Sequence, residues 1–191
     1  MPGRSESHGY WWLAWRWENL LFSCRNCNQA AAGGKGKLDK FPLADGSGVL
    51  VAEQDPFGAE RHVEQPLLLD PSVDSGVEHI QFVKRGGRWT PIARDGSSRG
   101  ARTIEVCVLD RDDLLELYDA HVEQEVTPRV ARFDALHPHS SPESARAVWI
   151  AIENELYRSG MAFVGLSYDA LRTQVDDDDL RQWGLTRRVP T

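Results

Sequence analysis

Two cysteines two residues apart, Cys24 and Cys27, stand between two asparagines, Asn19 and Asn28, and ahead of three lysines, Lys35, Lys37 and Lys40. A thiol pair at this spacing can hold one edge of a metal, because the short loop between them turns both sulfurs inward. An asparagine oxygen can ligate a hard cation such as Mg²⁺ or Mn²⁺, though more weakly than a carboxylate. Lysines next to such a site suit a phosphate-bearing partner. The same spacing also serves redox pairs, but no thioredoxin-like strand and helix pattern surrounds this one. The chemistry suggested is a cation beside a phosphate.

These residues must be positioned by the run Gly9–Pro42, which holds Tyr10 and four of the chain's seven tryptophans. Residues 10–23 read as extended, since Trp11, Leu13, Trp15 and Trp17 alternate with Tyr10, Trp12, Ala14 and Arg16. A helix competes, because Trp11, Trp12 and Trp15 also fall at helical spacing. Asn19 marks a break before Leu20-Leu21-Phe22, where a plain turn or cap role is the alternative. Ser23 to Ala32 reads as a short helix ended by Gly33-Gly34. The loop behind it, with Lys35, Lys37 and Lys40, is free to meet backbone phosphates.

The ordered run W-x-N-L-L-x-S-C-x-x-C-N followed by lysines and Phe41-Pro42 resembles the second half of an HNH (ββα-metal) endonuclease motif. More narrowly, it is similar to the HNH nuclease subunit of Septu-type anti-phage systems and their retron-associated relatives. The likeness continues through Leu67-Leu68-Leu69-Asp70-Pro71, His79-Ile80-Gln81-Phe82 and Thr103-Ile104-Glu105-Val106-Cys107-Val108-Leu109, and so covers most of the chain up to about residue 130. It implies an α+β fold: a partial ββα finger over 1–43, a connecting loop over 44–66, and a mixed hairpin and helical lobe over 67–191. It implies metal-dependent hydrolysis of nucleic acid, DNA before RNA, in anti-phage defence. Asn19 and Asn28 would be the catalytic-site amides, with Asn28 also a ligand to the catalytic Mg²⁺ or Mn²⁺. Cys24 and Cys27 would form half of a structural zinc knuckle, and Arg25, Lys35, Lys37 and Lys40 would meet the nucleic acid. A partner ATPase is implied as well. The family's upstream Asp-His pair and Pro-Lys step have no counterpart here, because His8 is the only histidine ahead of Asn19 and lies too close to Tyr10. The resemblance therefore implies impaired activity as written and a truncated chain or a start further upstream, with a non-catalytic module docking the ATPase as the alternative.

Composition sets bounds on this picture. A chain of 191 residues with 41% hydrophobic content can bury a core and reads as globular. It holds no apolar run long enough for a membrane span and no signal-peptide pattern, so the expected location is the cytoplasm. Three cysteines with one close pair favour metal or thiol chemistry over a disulfide framework. The formal charge of −7 argues against a dedicated nucleic-acid coat, but residues 1–40 carry six Lys/Arg against three Asp/Glu. Positive charge sits where the motif sits, and the remainder carries the acidic excess.

Downstream, residues 44–66 read as a long connection. His79 to Phe82 and Trp89 to Ala93 form a hairpin around Gly86-Gly87, with His79 a core or edge histidine before a ligand. Thr103 to Leu109 reads as a strand containing Cys107, and Asp110 as the cap of a helix from Arg111 that Pro128 interrupts or kinks. His137-Pro138-His139 reads as a loop. Ser141-Pro142 opens a helix, Met161 to Leu171 is a shorter apolar segment, and Asp176 to Asp179 is a solvated run or a helix start.

Overall fold

The hairpin and the helices behind it carry the architecture. The computed structural model describes residues 10–21, 23, 25–29, 36–51, 53–136, 141–158 and 160–190. Strand β1 (Ile80–Arg85) pairs antiparallel with β2 (Arg88–Ala93) across the Gly86-Gly87 turn, with Phe82 opposite Pro91. Both glycines have positive φ, which the two-residue turn requires. Ahead of the hairpin lie two short helices, α1 (Arg25–Asn28) and α2 (Gly76–His79). Behind it come α3 (Ser98–Cys107), α4 (Asp112–His121), α5 (Thr127–Leu136), α6 (Pro142–Leu156), α7 (Val164–Gln174) and α8 (Asp177–Gln182). The fold is therefore α+β, mostly helical, with a two-stranded sheet among the described residues.

One core fills the space between hairpin and helices. Trp89 from β2, Tyr118 from α4, Phe133 from α5, Trp149 and Ile152 from α6 and Leu166 from α7 are all buried in it. Their spacing on α6, with Ala145, Trp149, Ile152 and Leu156 buried, is the stripe expected of an amphipathic helix. Ser141 caps that helix, its Oγ accepting from the Ser144 amide, with Pro142 in the first turn as its sequence predicts. Asp176 does the same for α8 by accepting from the Asp178 amide, so the acidic run is a helix start.

Polar clamps hold the hairpin to the helices. Asp169 on α7, buried, accepts from the Phe82 amide at 2.8 Å and from Arg94 Nη2 at 2.7 and 2.9 Å. On the other strand Asp119 of α4 accepts from the Trp89 amide at 2.8 Å and from Arg88 Nε at 3.3 Å. Arg99 of α3 reaches back to Asp74 and the Leu68 carbonyl, tying the Leu67–Pro71 stretch to the body. Its guanidinium holds the Asp74 carboxyl below the usual range, against the opposing effect of burial. Where α2 meets α3, a Cβ on Gly100 would stand 2.0 Å from the His79 carbonyl, so only glycine fits.

Several expectations need correction. The tryptophan run is not a strand. It forms 3₁₀ turns at Trp11–Leu13 and Trp17–Asn19, with Leu13 N bonded to the Tyr10 carbonyl at 2.9 Å. With its backbone bonds closed locally, the segment needs no sheet partner. Thr103 to Leu109 belongs to helix α3 and the turn after it, not to a strand. Ser97 caps α3 by accepting from the Gly100 amide, and Gly100, Thr103 and Cys107 share one inward face. The β-branched content was overridden by that cap and by packing. Helix α4 starts at Asp112 behind Arg111, and Asp110 is not its N-cap. At Pro128 the α-helical run is interrupted, as expected, by a π turn, and is not ended. The Thr127 amide bonds to the Val122 carbonyl, so Val122–Val126 is π-helical and α5 follows directly. One extra residue in the turn lets the chain pass the missing Pro128 donor. Of the helix predicted over Ser23–Ala32, the described residues show the turn α1; Cys24, Ala30-Ala31-Ala32, Gly33-Gly34 and His137-Pro138-His139 lie outside the described residues.

Candidate functional site

Helix α1 presents Cys27 and Asn28 from its last turn. Their carbonyls accept from the Lys37 and Leu38 amides, both at 2.8 Å, which seats the lysine loop against the thiol helix. Lys40 N in turn bonds the Lys37 carbonyl at 2.9 Å, so the two lysines stand on one tight turn. The structure therefore brings Cys27, Asn28, Lys37 and Lys40 together. Asn28, Arg25 and Lys40 are exposed and Lys37 is half-exposed. Arg25 Nε donates to Gln29 Oε1 at 3.2 Å. Cys24 and Lys35 lie outside the described residues.

Asn19 is held differently. It ends the second 3₁₀ turn, is exposed, and its Nδ2 donates to the Leu13 carbonyl at 3.2 Å. That bond closes the loop between the two 3₁₀ turns, as an amide that fixes a loop would. The segment is anchored from below: Tyr10 Oη donates to Glu64 at 2.7 Å and Trp12 Nε1 to the Gln54 carbonyl at 3.0 Å. Burial, then the Glu64 carboxylate, pushes the Tyr10 phenol far up.

A residue that sequence reasoning passed over, Arg111, lies at the centre of the thiol region. Its Nη1 donates to Cys27 Sγ at 3.6 Å and to the Cys107 and Val108 carbonyls at 3.4 and 3.1 Å. Its Nε pairs with Asp113 at 2.8 Å. Burial pulls its pKa down, yet the hydrogen bonds to Asp113 and Cys27 outweigh burial and the guanidinium stays above its ordinary range. Cys107, expected mid-strand, instead ends α3 beside this arginine and is half-buried. Val108 follows with φ 50°, a left-handed conformation that costs a β-branched residue energy. Nothing local in the Asp110-Arg111-Asp112-Asp113 stretch marks this role, since the guanidinium meets Cys27 only across 84 residues of chain.

The donor set bears on the expected metals. Among the described residues no three His, Cys, Asp or Glu side chains group as a metal site would need. Cys27 faces a guanidinium, and a cation beside the sulfur competes with a second cation. The described residues thus do not by themselves make a zinc knuckle or a complete Mg²⁺ or Mn²⁺ site. His79, weighed above as a ligand, has its Nδ1 hydrogen-bonded to Ser97 Oγ at 2.8 Å. His121 likewise meets the buried Ser167 Oγ at 2.8 Å through Nε2. Burial lowers the His121 pKa, with Glu125 opposing and Arg129 assisting. Among the described residues no helix is long and apolar enough to cross a membrane.

No protein-family model matches the chain, and no solved structure matches it. Among curated proteins, 108 of its residues are 35% identical to a Septu protein, PtuB, from Bacillus mycoides (strain KBAB4). The match takes in 56% of this chain and 32% of the relative, so the chain spans about a third of the length of the protein it matches. This chain is thus similar, over a little more than half its length, to a Septu-system protein.

Proposed function

We propose that this chain serves Septu-type anti-phage defence and that its first 43 residues are the rear part of an HNH-type, cation-dependent finger that hydrolyses nucleic acid. The similarity to PtuB carries this reading. The seating of the lysine turn on α1 supports it, because cations are thereby held next to Asn28. The family pattern would have Asn19 fix the metal-site loop, and its bond to the Leu13 carbonyl, which closes a neighbouring loop, supports that reading. Because the described donors leave the cation site incomplete, no hydrolytic step is assigned to these residues. Donors beyond them, Cys24 among these, would have to complete it.

The test is plasmid nicking by the purified chain with Mn²⁺, with and without EDTA, beside an Asn19→Ala variant. The reading expects slow nicking that EDTA abolishes and Asn19→Ala reduces. A general base contributes about two to four orders of magnitude in such reactions, so long incubations are used to detect slow nicking. Nicking that Asn19→Ala leaves untouched sinks the assignment. Zinc content by elemental analysis tests the knuckle; a metal-free protein of full stability refutes it.

A second reading has its own support. A non-catalytic module that docks a partner ATPase fits the incomplete donor set among the described residues. No nicking under any metal, together with retained binding to the partner, would favour it.

A further inference from the structure

Trp15 is 88% exposed, Trp17 85% and Trp11 63%, whereas Trp89 and Trp149 in the body are 4% and 0% exposed. Tryptophan is highly buried on average, so three exposed within one seven-residue stretch invite an occupant. Trp11 ends an ordered row of ring contacts. Phe41 packs edge-to-face on Tyr10 at 5.6 Å, Tyr10 on Trp12 at 5.7 Å, and Trp12 on Trp11 at 6.0 Å. The next turn carries Trp15 and Trp17, and between them Arg16 lies over the exposed Phe57 ring at 5.7 Å. Phe41 also places the row beside the lysine turn, since it follows Lys40 directly.

The kind of occupant follows from what the surface offers. Its exposed side chains include flat indole and phenyl rings beside Leu20 and Leu21, and the Tyr10 and Trp12 hydrogen bonds tether the segment that carries them. Flat ring faces are what an unpaired base stacks on, and every base has a face to offer. Charge points the same way. Lys37 and Lys40 stand on the turn that leads directly into Phe41, at one end of the aromatic row. A duplex hides its base faces in the stack and would leave the indoles unused.

We propose that Trp11, Trp15 and Trp17 form a stacking platform for single-stranded nucleic acid, whose backbone phosphates are met by Lys37 and Lys40. This deepens the nuclease reading by naming the substrate class, and it rests on that reading for its biological sense. Its test does not need catalysis.

The experiment is tryptophan fluorescence of the full chain in EDTA, titrated with a short oligothymidylate, an oligouridylate and a duplex. Quenching by the single strands, weakened roughly tenfold by each of Trp15→Ala and Trp17→Ala, is the expected result. Lys40→Ala should lower the salt dependence and leave the stacking quench. Because both indoles lie almost wholly in solvent, these variants should keep the wild-type melting temperature, which is measured alongside. Duplex binding as tight as single-strand binding, or single-strand affinity unchanged in the double tryptophan variant, overturns the platform. So does concentration-dependent self-association that Trp15→Ala and Trp17→Ala abolish, which would give the face to a second copy. Single-strand binding without any metal-dependent nicking would keep the platform and sink the nuclease. Nicking that is indifferent to Trp15 and Trp17 would do the reverse.

Discussion

Residues 10–66 and residues 76–190 use the same residue types to opposite ends. Among the described residues, 18 of the 21 buried hydrophobic side chains lie beyond residue 76, and the segment before it supplies Leu13, Leu50 and Leu68. Ten of the fourteen large hydrophobics left exposed lie before residue 58. The body buries its aromatics behind a hairpin clamped by Asp119 and Asp169, and the N-terminal segment hangs its aromatics outward on 3₁₀ turns. A segment that closes its backbone bonds locally, and ties Tyr10 and Trp12 down by side-chain hydrogen bonds, can keep its shape with little core beneath it. The body buries its rings, and the N-terminal segment leaves Trp11, Trp15 and Trp17 in solvent.

The sharpest way to break that contrast is to remove one tryptophan from each region. Trp149→Ala should cost about 3–5 kcal/mol, because it empties the centre of the core. Trp15→Ala should stay within about 0.5 kcal/mol of wild type. Urea unfolding monitored by circular dichroism gives both values. Equal losses would mean that the exposed row is part of the core.

Almost as large an effect is expected at the clamp. Asp169→Ala leaves Arg94 buried without its partner and strips the Phe82 amide, at a cost of about 3–5 kcal/mol. If the N-terminal segment is a separate contact surface, the quench by oligothymidylate should survive this change at temperatures where the protein stays folded.

Arg111 is the bridge between the two regions. Arg111→Gln should cost about 1.5–3 kcal/mol, since it removes charge-assisted bonds to Asp113 and Cys27. It should also slow the reaction of Cys27 with a maleimide, read by mass spectrometry, because the thiolate loses the cation that stabilises it. An unchanged labelling rate would mean that the arginine does not act on the thiol.

The smallest expected effect is a pH dependence confined to the body. The folded-state pKa of His121 lies below its ordinary 6.5, so the unfolded chain binds more protons in the window just beneath that value. The stability involved is fully present above pH 6.5 and is lost as the pH falls toward the folded pKa. His121→Gln should flatten the urea midpoint across that window. A slope of the same size in the variant would assign it to other groups.

Local signals made much of the body legible. The Gly86-Gly87 turn between alternating strands, Ser141-Pro142 ahead of the α6 stripe, and the acidic start of α8 each depend on neighbours within a few residues. The errors fell where neighbours do not decide. Thr103–Leu109 has the side chains of a strand, but Ser97 caps it as a helix and Gly100 lets it approach the His79 carbonyl. Pro128 signals an interruption, and the chain met it with a π turn, which no local pattern announces. In the candidate site, α1 and the lysines could be read as neighbours, because the loop between them is short. Arg111 could not.

The sequence by itself determined the hairpin, the capped helices, the charge segregation and the clustering of tryptophans beside a thiol pair, since each is a matter of residue type and short spacing. Only the tertiary structure decided that three of those tryptophans face outward, that Cys27 rests on Arg111, and that Asp169 joins a helix to a strand 87 residues away. Burial and long-range pairing depend on which surfaces meet after the chain has folded. Local periodicity carries no record of that.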